Sequence, residues 1–221
     1  MIYNRLRDSL PAWLSRWVMH FEARIAEELR AFSQSLPANA RVLDAGAGEA
    51  KHRPFFAKHR YTGVDLAIGD QRWDYSRIDA VADLEALPFR DSSFDAAINI
   101  VTLEHVRRPA KVLAEIARVL KTNGTLLIVV PLEWEVHQAP HDYFRYTRHG
   151  LEMLLIESGL RVERLQPVGG IFRVLSRRML NSMRVTPVAA LLAPLAVLLP
   201  ALDGLDSAKE STPGYVCIAR K

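Results

Sequence analysis

The residues in this chain that are best suited to chemistry surround a glycine turn. The turn carries Gly46 and Gly48 between two acids, Asp44 and Glu49, and it follows a short apolar run that is typical of a buried strand. Glycine permits positive φ angles and lets the backbone approach a ligand closely. A dinucleotide fingerprint would need a third glycine where this chain has Lys51, and the two acids would repel its pyrophosphate. The turn therefore predicts a site for a ligand that carries positive charge.

Two more acids end predicted strands further along the chain. Asp65 ends the run Tyr61–Asp65 and lies 19 positions after Gly46. At that spacing, a carboxylate on the second strand of an α/β unit accepts hydrogen bonds from ribose hydroxyls. Asp83 ends a third apolar run. The ligand is therefore predicted to contain a nucleoside.

Six short motifs occur in order along the chain, each next to the end of a predicted element. They are D-A-G-A-G, G-V-D, A-D-L, L-P-F-x-D-x-S-F-D, L-E-H-V and R-V-L-K-x-N-G. Together they resemble the class I S-adenosylmethionine-dependent methyltransferases over about residues 38 to 168. One departure from the pattern is Ala50, where many relatives carry a third glycine.

The resemblance implies S-adenosyl-L-methionine as the cofactor and places its parts at successive strand ends. The glycine turn and Asp44 would meet the methionine part, Asp65 the ribose hydroxyls, and Asp83 with Leu84 the adenine edge. An isolated aspartate such as Asp83 is also a common turn cap, which is the alternative for that residue. The implied cofactor-binding residues are Asp44, Gly46, Gly48, Asp65, Asp83, Leu84 and Asn99.

The resemblance also places the methyl acceptor beside the fourth strand end. His105 there could act as a general base for a hydroxyl acceptor, since imidazole titrates near neutrality, or it could have a structural role. After the fifth strand, residues 133–146 hold His137, His141 and Tyr143. These could remove a proton from the acceptor, or the segment could be a hydrogen-bonded loop that seats the next helix. The candidate catalytic residues are His105, His141 and Tyr143.

The implied reaction is direct in-line attack of the acceptor on the sulfonium methyl group, with release of S-adenosylhomocysteine. Because the leaving group is a neutral thioether, alignment in a water-poor pocket matters more than acid catalysis. No metal is predicted: the spacing of Glu135, His137, His141 and Asp142 fits no compact helical ligand pair.

The predicted fold is α/β: a Rossmann-like, doubly wound and mostly parallel seven-stranded sheet. It rests on an alternation of strands and helices that begins near residue 38. A chain of 221 residues can bury one sizeable core, so we predict a single domain. Its parts are an N-terminal amphipathic helix at 9–36, a cofactor-binding core at 38–168, a helical apolar insertion at 169–212 and a last strand at 213–221.

Local signals set several element boundaries. Ser9 can cap the N-terminal helix, and Thr147 can cap a helix after the fifth strand. Pro109 opens an amphipathic helix that Asn123-Gly124 is predicted to end in left-handed geometry. The single cysteine, Cys217, excludes an internal disulfide and is expected as a buried thiol in the last strand.

The insertion has a basic first part and an uncharged second part, residues 185–202. Eighteen uncharged residues reach the lower limit of a membrane span. However, Pro187, Pro194 and Pro200 would each break a helical hydrogen bond, so no crossing is predicted. Two alternatives remain: a pair of short helices that cap the sheet edge, and an interfacial hairpin whose preceding arginines rest on anionic head groups. The second alternative would bring residues 173–202 to a membrane surface.

Composition narrows the classes of partner. A net charge of +4 and a pI of about 9.4 are too mild to imply nucleic acid. The N-terminus lacks a secretory signal pattern, so we expect a cytoplasmic protein, peripheral to the membrane if the insertion touches lipid. The favoured function is methylation of a small or amphipathic metabolite, such as a lipid-linked acceptor. The alternatives are a nucleic-acid or protein methyltransferase and a non-catalytic interaction module; the oligomeric state cannot be inferred from the sequence.

Overall fold

The protein is seen in a computed structural model that describes residues 11–70, 72–182 and 193–221. The centre of the described chain is a seven-stranded sheet with the order β3-β2-β1-β4-β5-β7-β6. Its strands are β1 (Arg41–Ala45), β2 (Arg60–Asp65), β3 (Ala80–Val81), β4 (Phe94–Ile100), β5 (Leu120–Pro131), β6 (Arg161–Pro167) and β7 (Gly214–Arg220).

The strand order reverses between β1 and β4. From β1 the chain runs outward through β2 to β3, then crosses back to place β4 on the other side of β1. The pairs β1–β2, β2–β3, β1–β4 and β4–β5 are parallel, and in register Asp44 lies opposite Gly63 on one side and Ile98 on the other. In open α/β sheets, ligands bind outside the carboxyl ends of the strands at such a switch point. The predicted fold class is confirmed.

The last strand departs from the parallel arrangement. The Asn123 N–H donates to the Lys221 carbonyl, and the Lys221 N–H donates to the Gly124 carbonyl. The start of β5 therefore meets the end of β7, which means that these two strands run in opposite directions. Cys217 is buried in β7 as expected, and burial raises the pKa of its thiol to about 12.

Helices flank the sheet mainly in the second half of the chain. Between β1 and β2, and between β2 and β3, the structure has turns and short 3-10 helices, Arg53–Phe56 and Tyr75–Arg77. The predicted alternation of strands with helices from residue 38 is wrong for these two connections. Residues 46–59 hold the glycine turn and a proline, which leaves too short a run for an α-helix. The α-helices are α1 (Ala12–Val18), α2 (His20–Ser35), α3 (Pro109–Val119), α4 (Arg148–Glu157), α5 (Ile171–Ser182) and α6 (Ala193–Leu198).

Helix α3 packs its apolar stripe into the core but ends earlier than predicted. Val112, Leu113 and Ile116 are fully buried, and the helix stops at Val119, where the chain turns directly into β5. Asn123 does have a positive φ of 64°. It lies inside β5, beside a register shift in the β4–β5 ladder. The left-handed residue therefore belongs to a bulge in the strand and not to a helix cap. By contrast, Thr147 caps α4 as predicted, because its side chain accepts a hydrogen bond from the Gly150 N–H.

The N-terminal helix is interrupted. The sequence predicted one helix over 9–36, whereas the chain breaks at Met19, with φ −100° and ψ 52°, between α1 and α2. Ser9, the predicted cap, lies outside the described residues.

The chain forms two compact units. The first comprises Met1–Glu27 with Pro167–Gly214, and the second comprises Glu28–Gln166 with Tyr215–Lys221. The first unit is held by polar contacts of its own: the Trp17 indole N–H donates to the Val197 carbonyl at 2.8 Å, and Ser176 Oγ donates to the Ala196 carbonyl at 2.6 Å. The N-terminal segment and the insertion thus stabilise each other, which sequence periodicity alone does not reveal.

Two arginines of the insertion contact residues of the N-terminal helices that belong to the same compact unit. Arg173 lies over the Trp17 ring at 4.7 Å and donates to the Trp17 carbonyl. Arg177 is buried and lies 3.3 Å from Glu22. The hairpin hypothesis placed these arginines on lipid head groups, but their side chains contact Trp17 and Glu22 instead. Arg184, Pro187 and the rest of 183–192 lie outside the described residues. Across the described part of the chain, every helix is too short or too polar to span a bilayer.

Candidate cofactor and acceptor site

A cavity opens at the carboxyl ends of the central strands and lies entirely within the second unit. It lies at the switch point between β1 and β4, where the strand order predicts a ligand. Seven of the predicted site residues line it together, and they come from five separate places in the sequence. These residues are Gly46, Gly48, Asp65, Asp83, Leu84, His105 and His141.

The glycine turn is shaped so closely that side chains do not fit. Gly46 has φ +93°, and a Cβ there would lie 2.2 Å from the Thr102 side chain. Gly48 has φ +53° and lies against the Trp73 ring. The Gly46 and Ala47 amides both donate to the Val64 carbonyl, at 2.8 and 3.0 Å. The turn is therefore fixed to β2, with its backbone exposed to the cavity.

Asp65 is held by the same turn. Its Oδ2 accepts from the Gly48 N–H at 2.9 Å, and its Oδ1 accepts from the Ala67 N–H at 2.8 Å. Each carboxylate oxygen has a second lone pair available. Since Asp65 also lines the cavity, the carboxylate is oriented in advance to accept further hydrogen bonds from a ligand.

Asp44 is placed differently from the other acids. It is fully buried and does not line the cavity. Tyr61 Oη donates to Asp44 Oδ2 at 2.5 Å, and His52 Nδ1 lies 3.1 Å from the same oxygen. Burial and the neighbouring carboxylate raise the pKa of the Tyr61 hydroxyl far above its usual value. Asp44 Oδ1 has no hydrogen-bond partner among the described residues, so one buried acceptor remains open.

Asn99 and Asp83 both make contacts that position the backbone. Asn99 is buried outside the cavity lining, and its Nδ2 donates to the Ala45 carbonyl at 2.7 Å, which ties β4 to the end of β1. Asp83 Oδ1 accepts from the Glu85 N–H at 2.9 Å, the turn-cap geometry weighed as its alternative. Asp83 lines the cavity as well, so the cap does not remove it from the site.

The acceptor side of the cavity is built from histidines. His105 Nδ1–H donates to the His141 carbonyl at 2.6 Å, and its ring lies 4.7 Å from that of His137. Burial lowers the pKa of His105 below its usual value, so the imidazole is neutral near pH 7. Tyr143 does not line the cavity, but its hydroxyl lies 3.0 Å from Nδ1 of His141, which does.

The other residues of the segment 133–146 form a hydrogen-bonded loop. This arrangement matches the structural alternative that the sequence left open for the segment. Arg145 forms an ion pair with Asp142 at 2.6 Å and donates to the Glu135 carbonyl. The guanidinium lowers the pKa of Asp142 to about 2. The Tyr146 hydroxyl donates to the Leu103 carbonyl from within the core. This loop therefore combines a hydrogen-bonded base with one histidine, His141, that lines the cavity.

Sequence reasoning missed several residues of the site. Trp73, Thr102 and His52 also line the cavity. Thr102 lies two residues after β4, a position from which it could have been predicted as a site residue. Trp73, by contrast, lies in an irregular connection and belongs to no motif. Glu104 was quoted within L-E-H-V but given no role. It is fully buried, and desolvation raises its pKa to about 8.

Residues 43–128 match the family model for a methyltransferase domain. The chain contains a class I S-adenosylmethionine-dependent methyltransferase domain. The match covers the glycine turn, Asp65, Asp83 and Glu104-His105, so every cavity-lining element up to the end of β4 belongs to this domain.

Curated relatives share part of the methyltransferase domain. A tRNA (carboxymethyluridine(34)-5-O)-methyltransferase of Arabidopsis thaliana is 34% identical over 50% of this chain and 28% of its own length. A demethylmenaquinone methyltransferase of Renibacterium salmoninarum is 37% identical over 40% of each chain. The chain thus spans less than half of the length of these relatives.

A solved structure supports the fold over nearly the whole chain. The 1,6-didemethyltoxoflavin-N1-methyltransferase of Burkholderia thailandensis, with bound S-adenosylhomocysteine, matches with a TM-score of 0.56 and 21% identity. The match covers 98% of this chain and 87% of that one. S-adenosyl-L-methionine is the cofactor of this class of domain. The glycine turn, where an added Cβ would clash with Thr102, fits such a group.

Proposed function

We propose that the methyltransferase domain transfers a methyl group from S-adenosyl-L-methionine to a small or amphipathic metabolite, and that S-adenosylhomocysteine is released. The observation that carries the proposal is the single cavity in which the glycine turn, Asp65 and Asp83 meet His105 and His141. Donor-binding and acceptor-binding groups so placed can hold two reactants in line, which is the main requirement of this reaction.

Each cofactor-binding residue would contact a different part of the cofactor. The Gly46–Gly48 backbone would meet the methionine part, whereas Asp44, buried outside the cavity lining, would reach its ammonium group only through the backbone or a water molecule. Asp65 would accept from the ribose hydroxyls through the lone pairs that its two amide donors leave free. Asp83 and Leu84 would face the adenine edge. The cofactor supplies the methyl group, and the chain supplies orientation and exclusion of water.

The acceptor end offers one group suited to take a proton from a hydroxyl acceptor. His141 lines the cavity, and its Nδ1 is within hydrogen-bond distance of the Tyr143 hydroxyl. If Tyr143 donates there, the His141 Nε2 is the protonated nitrogen. His141 acts as a base only after this contact rearranges, so Tyr143 can tune the reaction without touching the acceptor.

The acceptor class distinguishes this proposal from its alternative. The relative that acts on tRNA supports a nucleic-acid acceptor by its name, whereas the relative that acts on demethylmenaquinone supports an amphipathic one. Apolar residues Leu66, Ile68 and Val106 line the cavity beside its polar groups. They favour an acceptor with an apolar body, which is why the small or amphipathic class is proposed.

The test is incubation of the purified protein with methyl-labelled donor and separate pools of lipids, polar metabolites, bulk tRNA and protein. We expect label in the lipid or metabolite pool. Label in tRNA alone would select the alternative. Calorimetry with S-adenosylhomocysteine checks the cofactor site first, and absence of binding would overturn the methyltransferase proposal altogether.

We also propose that the first unit contacts a membrane surface through leucines instead of arginines. Leu195, Leu198, Leu202 and Leu205 recur at helical spacing and are all exposed, Leu205 at 75%. Exposed apolar patches commonly mark interaction sites. Liposome flotation should recover the protein, and Leu198→Ser with Leu205→Ser should reduce the recovery. Ile156→Ser, at an equally exposed position of α4, is the matched control.

A further inference from the structure

Three side chains with hydrogen-bond acceptor atoms converge beside the cavity. Glu104 Oε1 lies 3.7 Å from His105 Nε2 and 4.0 Å from His137 Nε2. The ligand atoms of the three residues all lie within 4.8 Å of one another. Glu104 and His105 lie in the 3-10 helix Leu103–His105 after β4, whereas His137 comes from the loop after β5, so the fold brings the cluster together.

The backbone partners of the two histidines assign their ring protons. His105 Nδ1 lies 2.6 Å from the His141 carbonyl, and His137 Nδ1 lies 3.1 Å from the Glu135 carbonyl. A carbonyl oxygen can only accept, so in each neutral ring the proton is on Nδ1 and a lone pair is on Nε2. Both lone pairs then face the Glu104 carboxyl group.

The carboxyl group of Glu104 provides a second, independent observation that points to a ligand. The residue is fully buried, and neither of its carboxyl oxygens has a hydrogen-bond partner among the residues that the structure describes. His105 Nε2 is likewise buried without a partner in that part of the chain. An unsatisfied buried acceptor is unfavourable, because it has lost its hydrogen bonds to water without replacing them. A single proton on Glu104 could satisfy one of the histidines, whereas a cation satisfies all three groups.

We propose that Glu104, His105 and His137 bind a first-row divalent transition-metal ion. Two imidazoles with one carboxylate form a donor set that suits ions such as Zn²⁺, Mn²⁺ or Fe²⁺ better than Ca²⁺ or Mg²⁺. Histidine ligands also typically donate their other ring N–H to a carbonyl or carboxylate, as both histidines do here.

The observed separations are close to those of a bound site. Ligand atoms about 2.1 Å from a tetrahedral ion lie about 3.4 Å apart, so the 3.7 and 4.0 Å distances from Glu104 must shorten by about 0.3 and 0.6 Å, and the histidine nitrogens, within 4.8 Å of each other, by about 1.4 Å at most. Such a shift is available to side-chain torsions. The sequence prediction of no metal considered Glu135, His137, His141 and Asp142, and it did not include Glu104.

The ion would lie next to the methyl acceptor, a consequence that rests on the proposed function. His105 belongs both to the cluster and to the cavity lining. Three protein ligands leave coordination positions open, and a bound ion lowers the pKa of a coordinated hydroxyl or orients it. The expected acceptor is therefore one that presents an oxygen to the metal.

The test is metal binding by the full chain. Protein stripped with a chelator is titrated with Zn²⁺ and Mn²⁺ by calorimetry and with Co²⁺ by visible absorption. We expect a single ion per chain with a Kd below about 10 µM for at least one of these ions. Glu104→Gln and His137→Gln should each weaken binding about 10–100-fold or more, the range seen when metal ligation is disturbed.

His149→Gln is the matched control, because His149 also has a glutamate neighbour, Glu152 at 4.0 Å, but is 90% exposed on α4. Its metal affinity should equal that of the unmodified chain. The proposal is overturned if the unmodified chain binds none of the three ions, or if Glu104→Gln and His137→Gln bind as it does.

Titration of the same proteins with S-adenosylhomocysteine separates this proposal from the proposed function. Cofactor binding in Glu104→Gln would show that the variant is folded. If the unmodified chain binds S-adenosylhomocysteine but no metal, the metal proposal alone fails. If it binds metal but no S-adenosylhomocysteine, the metal proposal stands and the proposed function fails.

Discussion

At the cofactor end of the cavity, each oxygen of Asp65 accepts a hydrogen bond from a backbone amide, whereas at the acceptor end both oxygens of Glu104 are buried without a partner in the described chain. Asp65 is the last residue of β2, and Glu104 lies in the 3-10 helix Leu103–His105 after β4. The Asp65 carboxylate is therefore oriented before a ligand arrives, whereas the acceptor end holds polar groups that only a proton or a cation can satisfy.

This contrast indicates how the polar groups at each end of the cavity affect the stability of the fold. Binding groups that are already hydrogen-bonded add little strain to the fold. Unpaired buried acceptors destabilise the fold, so they are expected mainly where they serve binding or catalysis. Mutations at the cofactor end should therefore lower ligand affinity, and mutations at the acceptor end should change pH dependence, metal affinity and turnover. The following variants test that division, beginning with the largest effect.

Gly46→Val should abolish cofactor binding. The new Cβ would lie 2.2 Å from Thr102 at a φ of +93°, so the turn must move. Calorimetry with S-adenosylhomocysteine should detect no binding. Gly159→Ala is the matched control, because Gly159 has φ +80° but open space around it. It should lose about 1–2 kcal/mol of unfolding free energy and bind normally. Normal binding by Gly46→Val would show that the turn is not the cofactor site.

The pH dependence of stability should carry the signature of Glu104 in metal-free protein. Burial raises the pKa of Glu104 to about 8 from 4.5. The unfolded chain then releases the proton at lower pH than the folded chain, so stability is fully present below about pH 4.5 and is lost as pH rises toward 8. The loss should be of the order of several kcal/mol.

Denaturant unfolding at pH 5 and pH 8, in the presence of a chelator, measures this loss. Glu104→Gln cannot ionise and should remove most of the difference between the two pH values. Glu152→Gln, on the exposed face of α4, should leave the difference unchanged. An unmodified chain whose stability does not fall over this range would contradict the buried, unpaired environment of Glu104.

The cofactor end could be predicted from sequence because its contacts are local to strand ends. Gly48 and Asp65 meet because each follows its strand by a short, fixed offset, and parallel strands share an edge. The acceptor cluster depends on how the loop after β5 folds back, with His105 bound to a carbonyl 36 positions away. The residue types in that loop identified candidate site residues, but they did not indicate which side chains lie next to one another. The short β1–β2 connection was mispredicted because the predicted alternation of strands and helices requires a helix that its residues cannot complete.

Asp65→Asn should weaken S-adenosylhomocysteine binding about 10–100-fold, since hydrogen bonds to a charged group contribute about 1.5–3 kcal/mol. The amide also replaces one acceptor oxygen with a donor that faces a backbone N–H, so the turn is disturbed at Gly48 or Ala67. Asp70→Asn is a nearby control, because Asp70 pairs with the exposed Arg72. Equal affinity in both variants would remove Asp65 from the cofactor site.

Tyr143→Phe should have the smallest effect and should appear in turnover alone. The Tyr143 hydroxyl lies 3.0 Å from His141 Nδ1 and outside the cavity lining, so its removal takes a hydrogen-bond partner from His141 without touching either reactant. We expect kcat to change about 2–10-fold, with KM and cofactor affinity unchanged. A change in KM with an unaltered kcat would instead place Tyr143 among the residues that bind the acceptor, and the acceptor end would then extend beyond the cavity described above.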